Sequence, residues 1–180
     1  MSSISIIGLG QMARVLAARA LDGGNTVEVV GRDAARAADM ADALGRGATA
    51  GTPGAAPAGD IVVLAVPHGS AVPVVSRYGN ALVGKVVVDI TNPFDASATG
   101  VVTSDGTSVA QEVAKAAPVG AHVVKAFNTV FGHVLAKGGP LDTGDLKMAQ
   151  WLEGAGVLMM GLGRHGVGNY DFSLGVTVTG

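Results

Sequence analysis

The residues of this chain best suited to chemistry are three small ones. Gly8, Gly10 and Ala13 stand in G-x-G-x-x-A spacing between an apolar run and a helical pattern, in "ISIIGLGQMARVLAARAL". Each has a stereochemical task in gripping a pyrophosphate. The first glycine makes a tight turn, the second lets the phosphate come close to the backbone, and the small third residue lets helix and strand pack tightly. Leu9 lies between the glycines. The N–H groups around Gln11 and Met12 open the helix and face an anion with the helix dipole behind them. In a chain with 28 glycines the spacing alone is weak; its place inside a β-α-β unit makes it a dinucleotide signal.

A second feature sits about twenty residues on, in "VEVVGRDAAR", residues 27–36. In sites for NAD, an acidic residue at the tip of the second strand binds the adenosine ribose, and it would repel the 2′-phosphate of NADP. Here that position is Gly31, followed by Arg32 and, one helical turn later, Arg36. An acid has been replaced by two cations. A charge-assisted bond to phosphate favours NADP over NAD by roughly tenfold to a hundredfold. The competing reading makes both arginines solvated charges and Asp33 the ribose acceptor, although Asp33 is better placed to cap a helix.

Ligands of open α/β sheets lie beyond the carboxyl ends of the strands. The segments there are "AVPHGS" (65–70), "ITNPFD" (90–95) and "KAFNTV" (125–130). Ala65, Val66, Pro67 and His68 are candidates for the cofactor side, with Pro67 ending a strand and His68 either over the cofactor or on the surface. Thr91, Asn92, Pro93, Phe127 and Asn128 form a candidate second pocket. Its hydroxyl and amide groups could orient a ring or a carboxamide without supplying an acid or base. Asn92 could equally shape a turn, and Asn128 could cap a helix.

No G-x-S-x-G, H-E-x-x-H or P-loop lysine motif is present, and His68, His122, His133 and His165 lack metal-ligand spacing. The chain has no cysteine, which rules out a thiolate nucleophile, a disulfide scaffold and cysteine-type zinc sites. No metal and no catalytic side chain is assigned. Direct hydride transfer between two bound cofactors would need little beyond positioning. The net charge of -2 and pI near 6.0 give no basic stripe for a nucleic acid. Mean hydropathy is +0.44, yet the apolar runs are broken at strand length and too short to cross a bilayer. "MSSISIIGLG" lacks the charged region and apolar core of a signal peptide. A soluble, cytoplasmic protein is expected.

The elements that must position these residues follow from the pattern of apolar runs. Runs at Ile4 to Ile7, Val27 to Val30, Ile61 to Val66, Val86 to Ile90 and His122 to Val124 each precede an alanine-rich, helix-like stretch. This predicts a Rossmann-type doubly wound parallel sheet. Helices are expected over Gln11 to Leu21, stopped by "DGG", and over Asp33 to Leu44, stopped by Gly45. Residues 45–59 read as a loop with a short strand near Ala48 to Gly51. With 48% hydrophobic residues, the 180-residue chain suits one domain: a nucleotide-binding core over 1–137, then a helix and tail over 138–180. Met148, Trp151, Leu152, Ala155, Leu158, Met159 and Leu162 step at helical spacing. That stripe suits the core better than a dimer contact or a cofactor wall.

Taken together, "ISIIGLGQMA", "VVGRDAARA", "VVVDITNPF", "HVVKAFNTVF" and the segment from "DTGDLKMAQW" to "YDFSLG" resemble the NADPH-dependent F420 reductases, also called F420-dependent NADP oxidoreductases. The resemblance implies an NADP-binding Rossmann domain that passes a hydride to or from the deazaflavin F420. It places Gly31, Arg32 and Arg36 at the 2′-phosphate. It places Val66 to His68, Thr91 to Pro93, and Phe127 with Asn128 in the loops that bring nicotinamide and deazaflavin together. It also implies a homodimer. One departure is expected to matter: "KGGPLDTGDLK" joins directly where family members would carry another strand and helix between Lys137 and Leu146, so the C-terminal part reads as shortened. A flavin could take the deazaflavin's place as acceptor, and two further functions stay open. One is NADPH-dependent reduction of a small imine or carbonyl compound, and the other is NADP binding without catalysis.

Overall fold

The computed structural model describes residues 1–95, 102–103, 107–128 and 130–137. The expected long helix, the joint between Lys137 and Leu146 and the C-terminal tail lie outside the described residues. The elements, in order, are β1 (Ser3–Ile7), α1 (Gln11–Asp22), β2 (Thr26–Val30), α2 (Ala34–Leu44), β3 (Thr49–Ala50), β4 (Ile61–Leu64), α3 (His68–Tyr78), β5 (Val86–Asp89), α4 (Val109–Ala116), β6 (His122–Lys125) and α5 (Gly132–Lys137), with a 3-10 turn at Gly79–Leu82.

The six strands form one parallel sheet in the order β3-β2-β1-β4-β5-β6. The chain winds outward from β1 in one direction, then returns to the centre and winds in the other, which is the doubly wound order. Alternation along each strand sorts side chains between two cores. Ile6, Val27, Val29, Val63 and Val88 pack under α1 and α2 with Ala13, Leu16, Ala17, Met40 and Ala41. On the other face Ile7, Val30, Val62, Leu64 and Val87 meet Ala71 and Val75 of α3 and Val109 and Val113 of α4. Burying one such valine, leucine or isoleucine is favourable by about 1.5–3 kcal/mol, so two cores of this kind hold the sheet against both helix layers.

The polar residues of the central strands have structural work. Ser5 is fully buried. Its hydroxyl donates to Glu28 Oε2 at 2.5 Å and accepts from the Gly59 N–H at 2.8 Å. Glu28 Oε2 also accepts from the Ala58 N–H at 3.0 Å. This network pins the loop between β3 and β4 under the sheet, and Gly59 fits because a Cβ there would lie 2.4 Å from Ser5 N.

Burial, followed by the Glu28 carboxylate, raises the Tyr78 phenol above its ordinary value of 10.0. The unfolded chain therefore loses this proton first, and stability falls as pH climbs past about 10 towards the folded pKa. Tyr78→Phe should flatten that alkaline limb, checked by urea melts across the alkaline range; an unchanged limb would show that Tyr78 is not its source.

The start of α2 behaves as the spacing predicts. Asp33 caps α2 by accepting from the Arg36 N–H at 3.1 Å, and Gly45 ends it with φ +60°. Ser108 and Gln111 form a capping box on α4. One boundary differs from expectation: β4 ends at Leu64, so Pro67 does not end the strand but stands as the N-cap of α3, with His68 the first helical residue. Proline suits that place, since its fixed φ and missing N–H cost nothing at a helix entry.

Candidate functional site

The site lies at the carboxyl edge of the sheet, where the chain order reverses between β1 and β4. Three strand ends are tied together there. Gly8 N–H donates to Val30 O at 2.8 Å, and Ala65 N–H donates to Ile7 O at 2.9 Å. Gly8 adopts φ +127°, and a Cβ on it would lie 2.1 Å from the Ala65 carbonyl oxygen. No residue with a side chain fits that crossing. Gly10 is different: a Cβ there would meet nothing within 4 Å. Its bareness keeps open the space in front of α1.

The N-terminus of α1 has Gly10 as its N-cap, with no side-chain cap and no acidic residue in the first turn. Its first N–H groups, at Gln11 and Met12, thus keep their donor capacity for an anion, unlike those of the capped helices α2 and α4. Ala13 is fully buried against the sheet, as the third position of the motif requires. The open cradle at Gly10 and the uncapped helix start fit the pyrophosphate of a dinucleotide.

At the tip of β2, a Cβ on Gly31 would come within 2.2 Å of Leu9 Cδ1 and 2.6 Å of Leu9 Cγ. Leu9, from the glycine loop itself, occupies the volume that an acidic side chain would need. Arg32 and Arg36 are exposed, and among the described residues no carboxylate pairs with either. Asp33 is exposed too, but one of its oxygens is engaged in capping α2. Gly31→Asp alone should therefore fail to create tight NADH binding, because Leu9 must first swing away. The double change Leu9→Ala/Gly31→Asp should recover it, read by calorimetric titration with NADH; equal NADH affinity in the single and double variants would show that Leu9 is not the obstacle.

The carboxyl ends of β5 and β6 carry a charged pair that the neutral second pocket read from sequence did not include. Asp89, the last residue of β5, is fully buried, and Lys125, the last residue of β6, donates to its Oδ2 at 2.8 Å. Lys125 Nζ also donates to the Thr91 carbonyl. Asp89 Oδ1 accepts from the Thr91 N–H at 2.9 Å. Burial lowers the Lys125 pKa from its ordinary value, and Asp89 opposes that by charge and hydrogen bonding. Both residues sit inside quoted motifs, "VVVDITNPF" and "HVVKAFNTVF". A lone Asp and a lone Lys ending separate apolar runs were the available signal, and only strand register pairs Asp89 with Lys125.

Above this pair the loops after β5 and β6 are joined by Asn92 Nδ2, which donates to the Asn128 carbonyl at 2.7 Å. Asn128 therefore does not cap the following helix, which starts only at Gly132. Thr91 and Asn128 are buried, and Thr91 Oγ1, Asn92 Oδ1 and Asn128 Oδ1 have no hydrogen-bond partner among the described residues. An unsatisfied buried polar atom costs about 1–3 kcal/mol. Three in two adjacent loops fit a ligand that brings donors. Phe127, between them, holds φ +59°, a conformation that costs a non-glycine residue about 1–3 kcal/mol. Pro93 lies at the same edge, and its carbonyl accepts from the Val102 N–H at 2.8 Å. Ala65 and Val66 are half-buried at the β4 end, Pro67 is exposed and His68 half-buried. The structure thus gathers the candidate residues into two groups along one sheet edge, one around β1, β2 and β4 and one around β5 and β6.

This fold and this edge define a dinucleotide-binding domain of the Rossmann class. Residues 3–93 match the model of the family described as NADP oxidoreductase, coenzyme F420-dependent, and the chain belongs to that family of NADP-dependent oxidoreductases. No protein of curated function matches it. Among solved structures, it is similar to the hypothetical protein SMa0349 from Sinorhizobium meliloti, at 27% identity and TM-score 0.68, over 89% of this chain and 85% of that one. A protein proposed as an F420-dependent NADP-reductase from Arthrobacter sp. FB24 shares the fold at 21% identity and TM-score 0.65, over 87% and 82% of the two chains. An imine reductase from Streptomyces aurantiacus is 28% identical with TM-score 0.50, over 68% of this chain; the chain spans only 40% of that protein. Among the described residues, no helix is long and apolar enough to cross a membrane.

Proposed function

We propose that this chain transfers a hydride between NADPH and the deazaflavin F420. NADPH, when bound, supplies the hydride, and the protein supplies position. In this reading Gly8, Leu9, Gly10, Gln11 and Met12 hold the pyrophosphate, and Arg32 and Arg36 hold the 2′-phosphate beside Gly31. Ala65, Val66, Pro67 and His68 lie along the nicotinamide side. Thr91, Asn92, Pro93, Phe127 and Asn128 receive the deazaflavin. A cytoplasmic homodimer is part of the same proposal.

The observation that carries it is the tip of β2, where Leu9 fills the place of an acid and two exposed arginines stand beside an open phosphate cradle. An enzyme with that tip discriminates for NADPH. The description of the matching family, NADP oxidoreductase, coenzyme F420-dependent, supports F420 as the acceptor. The test is anaerobic mixing of the purified protein with NADPH and F420, following loss of the F420 absorbance, with NADH as the control donor. Turnover with NADPH and little with NADH supports the reading. NADPH binding without F420 turnover removes the deazaflavin from it.

A second reading is reduction of a small imine or carbonyl compound in the same pocket, favoured by the likeness to the Streptomyces imine reductase over 68% of this chain. A panel of cyclic imines and aldehydes, run with NADPH in the same assay, separates the two. Failure of both acceptor classes with tight NADPH binding would favour a non-catalytic NADP-binding protein.

A further inference from the structure

The buried Asp89–Lys125 pair is used by none of the roles above. It lies at the carboxyl ends of β5 and β6, next to the loops that carry Thr91, Asn92 and Asn128. Lys125 bonds to two different parts of the neighbouring strand's exit: the Asp89 carboxylate at 2.8 Å, and the carbonyl of Thr91. Asp89 in turn takes the Thr91 N–H at 2.9 Å. Both main-chain groups of Thr91 are thereby held, and the next residue, Asn92, reaches across to the Asn128 carbonyl at 2.7 Å. Among the described residues, the side-chain oxygens of Thr91, Asn92 and Asn128 are the buried ones without a hydrogen-bond partner.

We propose that Lys125, together with Asp89, is a positioning residue for the acceptor. The pair clamps the backbone of Thr91 so that Thr91 Oγ1, Asn92 Oδ1 and Asn128 Oδ1 stay free to accept hydrogen bonds from N–H or O–H groups on the edge of the bound ring. Its backbone could otherwise relax and let the Thr91 hydroxyl donate to an asparagine Oδ1, or let these oxygens turn out to water. The ammonium is engaged on the carboxylate and the carbonyl, so in this proposal it acts through Thr91. The acceptor arm of this inference rests on the proposed function; the clamp itself does not.

The test uses the full chain. Lys125→Met alone leaves Asp89 buried without its cation and could fail to fold, so the informative variant is Asp89→Asn/Lys125→Met, which removes both charges at similar volume. Its NADPH Kd by calorimetry should stay within about twofold of the parent, while the KM for F420 rises about tenfold or more and kcat changes less. In parallel, hydrogen exchange of the Thr91 backbone amide and the Asn92 side-chain amide should accelerate, with the amides of β1 and β4 unchanged. An unchanged KM, or unchanged exchange at Thr91 and Asn92, overturns the proposal. Weakened NADPH binding with exchange accelerated across the whole sheet also overturns it, because the pair is then a general brace of the core. If the parent protein reduces no acceptor, the proposed function fails by itself, and the exchange measurement alone decides the clamp.

Discussion

Gly8→Ala should abolish measurable NADPH binding and strongly lower thermal stability, whereas Gly10→Val should abolish binding at a smaller cost in stability, that of a poorer N-cap. The two glycines belong to one motif, but they are bare for different reasons. A methyl group on Gly8 would lie 2.1 Å from the Ala65 carbonyl oxygen, and the residue would keep φ +127°. Overpacking costs about 1–3 kcal/mol and the strained backbone a similar amount, a large part of the roughly 5–15 kcal/mol that holds a domain folded. β1 and β4 would have to move apart exactly where the Ala65 N–H bonds to Ile7 O. At Gly10 a side chain meets open space, so valine clashes with nothing in the fold and, apart from a poorer helix N-cap, disturbs only what would occupy that space. Thermal melts with calorimetric titration of both variants check the contrast. If Gly10→Val bound NADPH like the parent, the cradle in front of α1 would not be the pyrophosphate site.

The second large effect is expected at the arginines. Arg32→Ala and Arg36→Ala should each weaken NADPH binding by about tenfold to a hundredfold, and the double variant by about a hundredfold or more. NADH affinity should move little, because it has no phosphate at the ribose 2′ position. Both side chains are exposed and, among the described residues, neither pairs with a carboxylate, so their removal breaks no internal ion pair and should leave folding intact. The NADPH-specific loss should also shrink with added salt, since exposed charges are screened within about 10 Å at 0.1 M. Parallel titrations with NADPH and NADH at two ionic strengths measure this. Equal losses for the two nucleotides would point to a damaged helix α2, whose cap involves the Arg36 N–H, in place of a lost phosphate contact.

Much of this molecule was determined by its sequence alone, because the relevant physics is local. The alternation of β-branched runs with alanine-rich helical spacing specified the parallel sheet and most strand positions, and small residues at 8, 10 and 13 specified the turn into α1. Asp33 capped α2 as its position before an amphipathic stretch required. Gly31, Arg32 and Arg36 could be read as a departure from an acidic strand tip for the same reason: they follow an apolar run at a set distance.

What tertiary structure decided depends on residues far apart in the chain. Leu9 fills the space above Gly31 only because the glycine loop folds back over β2. Asp89 and Lys125, separated by 36 positions, become a pair only through the register of β5 with β6. Asn128 was open to being a helix cap in the sequence and became instead a backbone partner of Asn92, because α5 begins later than the run of residues suggested. Local pattern sets which backbone a segment adopts, since its hydrogen bonds close within a few residues or with an adjacent strand. Which side chains share a pocket is set by how those segments stack, and no local spacing encodes it.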